Sequence, residues 1–386
     1  MDRVNTDIVY LDHAAATPVD ERVLQAMQPF FADLFYNPSA PYTPALSVRR
    51  AYEDAKARIG ANIGGKSDEI IMTAGATESI NLAFGAHGGH VVTSRIEHHA
   101  VHNAAMRHDH TMVEVRPDGV VDPIVVERAI RPDTWLVSIA LANHEVGTVQ
   151  HLRDIAAVVR KERRRRQGAG EAIPLYFHTD ASQGAGQVDI NVARLGVDMM
   201  TLNAGKMYGP KQVGLLWAAS HVRLAPLIVG GGQERGMRSG TENVAGVVGF
   251  AKALELAVTH RSSETKRLAA LRDTLQAGLL AAFPNAVVSG AHKLRLAGHL
   301  HISFPGIDAE RIVFMLEDKG VLVATGSACA ANKSTRSHVL VALGLDDAVI
   351  QGSLRLTLGR LVDESHIARA VSEITDAVRA EYRRTS

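Results

Sequence analysis

Short apolar runs alternate with helical patterns through the first two thirds of the chain. Runs at Glu69–Thr73, His90–Thr93, Trp135–Ala140, Leu175–Thr179, Asp198–Leu202 and Val213–Trp217 predict strands. Helical periodicity lies between several of them: Leu152, Ile155, Ala156 and Val159 fall at i, i+3, i+4 and i+7. Such alternation predicts an α/β layered fold with a mostly parallel sheet.

After about residue 255 the texture changes. A long helical stretch, Glu255–Ala282, precedes a short strand at His301–Phe304, a helix at Asp308–Asp318 and a strand at Val321–Ala324. In Ser353–Leu358, Leu354, Leu356 and Leu358 fall on one face, and Arg355 and Thr357 on the other. Ile367, Val371, Ile374 and Val378 form the stripe of a last helix. The expected division is a large unit over residues 16–255 and a smaller α+β unit from residues 1–15 and 256–386.

Composition narrows the class. The 386 residues are 46% apolar and 22% charged, as in a globular protein. A net charge of +1 gives no global field, so direct nucleic-acid binding is not expected. No apolar run reaches the roughly 18 residues of a membrane span, and MDRVNTDIVYLD has no apolar signal core. A cytoplasmic enzyme is expected. Arg163–Arg166 reads as the solvated end of a helix just before Gly168. His98, His99 and His102 form no metal-ligand motif, so no metal is expected. The one cysteine, Cys329, cannot pair within the chain, and its setting ATGSACAANKST suits a loop better than a core.

Polar segments follow directly after predicted strands: Ala74–Glu78, Arg95–His98, Asn143–Glu145, Asp180–Gln183 and Asn203–Lys206. In parallel sheets the carboxyl ends of the strands form the ligand crevice, so these segments predict one site. Gly75, Ala76 and Thr77 open a helix whose N–H groups suit a phosphate, although Thr77 also suits a plain N-cap. Asp180 ends an apolar strand, where a carboxylate needs a partner such as a protonated pyridine nitrogen. Lys206, in a partly desolvated cleft, can form a Schiff base with an aldehyde. Together these groups match the requirements of pyridoxal phosphate.

The motifs YLDHAAATPV, TAGATES, IEHHAV, HTDASQ, GKMYGPK, GGGQERGMRSGTEN, TGSACA and SLRLTLGR occur in order over nearly the whole chain. With them the chain resembles the cysteine desulfurases of the iron–sulfur-assembly type, in the class V aminotransferase superfamily. The resemblance implies the pyridoxal-phosphate fold type I and conversion of L-cysteine to L-alanine. Lys206 would carry pyridoxal 5'-phosphate and move protons. Asp180 would hold the pyridinium proton, and His98 would stack on the ring and act as acid and base. Gln183 would bond the ring oxygen. Ala76 and Thr77 would bind the phosphate, with Thr241 supplied across a homodimer interface. Arg355, aided by Asn37, would clamp the substrate carboxylate. Cys329 would hold the sulfur as a persulfide for an acceptor, either an iron–sulfur scaffold or a tRNA-thiolation protein. The spacing from Cys329 to Ala342-Leu343-Gly344 resembles the long-loop branch, which hands sulfur to several acceptors.

The chain departs from the family at some positions. Asn203-Ala204-Gly205-Lys206 stands where the family has Ser-x-His-Lys. Asn203 can still donate a hydrogen bond, whereas Gly205 has no side chain to do so. His144 stands for an asparagine that contacts the ring oxygen, and Ala40-Pro41-Tyr42-Thr43 replaces a His-containing stretch. A selenocysteine lyase, a class V aminotransferase and a cofactor-binding scaffold without turnover are the competing readings. The intact set Lys206, Asp180, Arg355 and Cys329 argues against the scaffold.

Overall fold

A computed structural model describes residues 8–325 and 336–385. Its larger sheet has seven strands. In spatial order they are Ile70–Thr73, Gly214–Ala218, Met199–Asn203, Tyr176–Asp180, Thr134–Ser138, His90–Ser94 and His110–Val113. Gly214–Ala218 runs antiparallel to both neighbours, and the other pairs are parallel. His90–Ser94, Thr134–Ser138 and Gly214–Ala218 are buried at every residue. A strand covered on both faces reads as a continuous apolar run rather than an alternation. All the strands predicted before residue 255 lie in this sheet. His110–Val113 is an addition. It is a half-exposed edge strand, and neither a run nor an alternation marks it.

A second, antiparallel sheet orders Ala324–Thr325, Ser353–Thr357, His299–Ser303 and Val287–Ser289. Val9–Tyr10 pairs in parallel with Val321–Leu322, and Asp12 bridges to Thr357. The chain's start is thereby stitched to its C-terminal part. Ser353–Thr357 has the two faces its alternation predicts, yet both are buried. Leu354 and Leu356 enter the apolar core, while the Arg355 face turns to the loops of the larger sheet.

Two of the apolar clusters that underlie the sheets share one long helix. One gathers Val23, Ile59, Phe177, Leu202 and Phe250, the other Val9, Leu11, Leu275, Leu300 and Ile374. The helix Val244–Ala282 serves the first as far as Ala257 and the second from Leu268. It starts at Val244, not Glu255, because its first turns are buried all round and carry no amphipathic stripe.

The arginine run also differs from expectation. The helix Leu152–Ala169 continues through Gly168 to a cap at Gly170. Arg166 is buried and donates to the carbonyls of Arg131 and Thr134, and Arg163 pairs with Asp198. A buried guanidinium needs such acceptors to offset its desolvation. Among the described residues no helix is long and apolar enough to cross a membrane.

Candidate active site

The carboxyl ends of the parallel strands open into a cavity of about 250 Å³. Lys206 ends the short turn Ala204–Lys206 after the strand Met199–Asn203. The side-chain oxygen of Asn203 shapes that turn by accepting from the Gly205 N–H at 3.0 Å. The Lys206 ammonium donates to the carbonyls of Ala14 and Ala15, each at 2.7 Å. Gln183 Nε2 donates to the same Ala14 carbonyl at 3.1 Å. The N-terminal segment thus fixes the lysine at the cavity wall.

Asp180 closes its strand, and its Oδ1 accepts from the Ser182 N–H at 2.9 Å. His98 caps the helix His99–Ala105, with Nδ1 accepting from the Ala100 N–H at 3.1 Å. In the neutral ring the proton is then on Nε2. Burial pushes the His98 pKa down; Asp180 pulls it up and Lys206 pulls it down again. The ring is neutral at pH 7. His144 lies against it, with ring centroids 5.0 Å apart and planes at 76°. Burial, with the charges of His98 and Arg355 adding, holds His144 well below the ordinary histidine range.

Arg355 arrives from the second sheet. Its Nη2 donates to Asp12 Oδ1 at 2.7 Å and its Nη1 to the His144 carbonyl at 3.3 Å. Its Nε is buried without a partner among the described residues, as is the Ser182 hydroxyl. The helix Ala76–Phe84 begins at the cavity, which Ala76 and Thr77 line. Gly75 is its N-cap at φ 130°, and no side chain among the described residues caps it. Thr77 is therefore the second helical residue and not the cap. An uncapped helix N-terminus suits a phosphate, Asp180 suits a ring nitrogen and Lys206 suits an aldehyde. With the orphaned Ser182 hydroxyl and the Arg355 guanidinium at the cavity wall, the residues present fit pyridoxal phosphate and a carboxylate substrate.

Ala76, Thr77, His98, His144, Asp180, Gln183, Asn203, Lys206 and Arg355 all line this cavity. Asn37 does not: it is exposed, and its Oδ1 accepts from the Ser39 N–H at 2.9 Å. Thr241 is also exposed, beside a separate hollow lined by Tyr52, Glu234 and Arg238. Cys329 lies outside the described residues.

In and around the site are residues to which sequence reasoning gave no individual role. Asp12, Ala14 and Ala15 lie within YLDHAAATPV, so motif membership was their only signal, whereas Ser182 falls in the strand-end segment Asp180–Gln183. Glu97 and Glu145 are buried carboxyls, pushed up to about 8 and about 7, chiefly by burial. Glu97 accepts from Ser94 Oγ at 2.6 Å, and Glu145 from Ser337 Oγ at 2.5 Å.

The aminotransferase class-V family profile matches residues 9–369. The chain belongs to that family. Its members are pyridoxal-phosphate enzymes, and the α/β architecture is their fold type I. The chain is 39% identical over 363 residues to the cysteine desulfurase IscS of Dictyoglomus turgidum, covering 91% of this chain and 89% of that protein. Identity to cysteine desulfurase IscS 1 of Archaeoglobus fulgidus is 37% over 381 residues, covering 96% of each. A solved NifS-like protein superposes with a TM-score of 0.87 at 33% identity, covering 97% of this chain and all (100%) of that one. SspA in complex with cysteine gives 0.76 at 33% identity, covering 90% and 98%.

Proposed function

We propose that this protein is a pyridoxal-phosphate-dependent cysteine desulfurase that keeps the sulfur of L-cysteine as a persulfide on Cys329. The observation that carries the reading is convergence. Lys206, Asp180, His98 and Arg355 come from separate segments and face one cavity, in a chain whose relatives are cysteine desulfurases. When bound, the cofactor supplies an electron sink next to the substrate α-carbon.

The chain's own residues do the rest. Lys206 holds the cofactor and then takes and returns a proton at Nζ. Asp180 keeps the ring nitrogen protonated. Ala76, Thr77 and Asn203 hold the phosphate, and Gln183 and His144 the ring oxygen. His98 packs on the ring and moves a proton at Nε2. Arg355 leaves Asp12 for the substrate carboxylate. The Cys329 sulfur attacks the substrate sulfur, and the sulfur–carbon bond breaks. Its electron pair goes to the β-carbon, which takes a proton, and L-alanine leaves. The persulfide passes to an acceptor protein, an iron–sulfur scaffold or a tRNA-thiolation protein. The enzyme works in the cytoplasm as a homodimer in which Thr241 serves the second subunit's site. Residues 16–255 bind the cofactor; residues 1–15 and 256–386 bring the cysteine.

The test is Cys329→Ser. It should keep cofactor binding and lose sulfur transfer, because a hydroxyl cannot hold a persulfide. Brief exposure of the wild type to L-cysteine should add about 32 Da, one sulfur, to the peptide containing Cys329. Sulfide release by Cys329→Ser at the wild-type rate would instead mark a lyase that expels sulfide directly.

A further inference from the structure

Arg355 has a neighbour without a role. In the antiparallel pairing of His299–Ser303 with Ser353–Thr357, His301 is the direct partner of Arg355. On its other side Arg355 faces Ala324. Directly opposed residues share a face, with Cβ atoms about 5 Å apart. His301 is fully buried, and neither ring nitrogen has a partner among the described residues. The same holds for Arg355 Nε. An N–H donor and a nitrogen lone pair thus stand unused across one rung of the sheet. Buried polar atoms are seldom left so, and each instance calls for a reason. Burial, with the charge of Arg355 adding, lowers His301 to about 3. The ring is neutral and offers a lone pair without a competing charge.

We propose that His301 is a positioning residue for the substrate clamp, accepting the Arg355 Nε–H when the guanidinium leaves Asp12 for the substrate carboxylate. The inference rests on reading Arg355 as that clamp. Asp12 and the His144 carbonyl tie the guanidinium only through its terminal nitrogens. A carboxylate must take N–H groups from the same fork, in its plane. A bond at Nε from behind fixes the plane and leaves the terminal nitrogens to the substrate. Ala324, on the opposite flank, has no acceptor in its side chain.

The experiment is calorimetric binding of L-alanine, which carries the carboxylate without the sulfur, to the holoenzyme. His301→Leu should weaken binding about tenfold, the size of one hydrogen bond to a charged group. It should also raise KM for L-cysteine with little change in kcat. Its thermal midpoint should hold or rise, because an unpartnered buried ring gives way to an apolar side chain. His301→Gln keeps an acceptor and should recover most of the affinity. Cysteamine, which lacks the carboxylate, should bind all three proteins alike. Unchanged L-alanine binding in His301→Leu, beside weakened binding in Arg355→Ala, overturns the inference and spares the clamp. Unchanged binding in Arg355→Ala removes the clamp and the inference together. If His301→Leu fails to fold, His301→Gln decides, and a loss as deep as that of Arg355→Ala overturns the proposal.

Discussion

Burial sets the protonation of several carboxyls and imidazoles in the layers behind the site, and this has consequences for pH. Glu145 is raised from 4.5 to about 7, so between those values it is protonated when folded and ionised when unfolded. Its stabilising contribution is present below pH 4.5 and lost as pH rises through 7, up to ~3 kcal/mol. Glu97, raised to about 8, extends the loss upward. Buried His13 and His178, each lowered to about 4, act oppositely and cost stability as pH falls below 6.5. Glu145→Gln keeps an oxygen for Ser337 and removes one titration. Thermal melting of this variant should exceed wild type at pH 8 and match it near pH 5. A difference of equal size at both values would assign the titration elsewhere. Lys206 carries a simpler expectation. Lys206→Ala should lose both turnover and the visible absorbance of the bound cofactor. Borohydride fixation of the cofactor to another lysine peptide in the wild type would refute the assignment.

At the scale of elements, the turn Ala204–Lys206 is the place to test a departure from the family. Among the described residues a Cβ at Gly205 would meet nothing closer than Asn203 Oδ1 at 3.4 Å, an ordinary contact. A histidine can therefore start from this backbone. Gly205→His should tighten cofactor binding about ten- to hundredfold, the range of one charge-assisted hydrogen bond, by titration of the apoenzyme. No gain, with the ring seen in place crystallographically, would mean that the phosphate is held differently here. The corner beside it is tight for another reason. A Cβ on Gly214 would lie 2.5 Å from the Gly75 carbonyl carbon, so strand and helix start meet backbone to backbone. Such an approach is closed to any other residue. Strand runs and helix stripes were legible because each repeats over a few neighbouring residues. The edge strand His110–Val113 and the start of Val244–Ala282 were not, since a polar edge and an all-buried turn both lack period.

For the whole molecule the prediction concerns assembly. Phe31 and Phe35 are each 66% exposed and Val229 is 81% exposed. Thr241 sits away from its own chain's cavity. The proposed homodimer would cover such side chains and carry Thr241 to the second site. Light scattering should give twice the chain mass, and Thr241→Ala should weaken cofactor binding without disturbing the dimer. A monomer with full activity and cofactor affinity would exclude shared sites.

The linear order of residues determined the layered α/β class, most strands, and the set of polar segments at strand ends. These are local properties: periods of two or 3.6 residues, and short motifs directly behind a strand. It also supplied the ordered motifs that carry the family resemblance. Packing alone decided the rest. Asp12 meets Arg355 across 343 positions of sequence, and the Ala14 carbonyl meets Lys206 across 192. Burial of Glu97, Glu145 and His301 depends on layers laid over them from distant parts of the chain. Such contacts leave no period in the sequence, because they arise only when separately patterned elements close on one another.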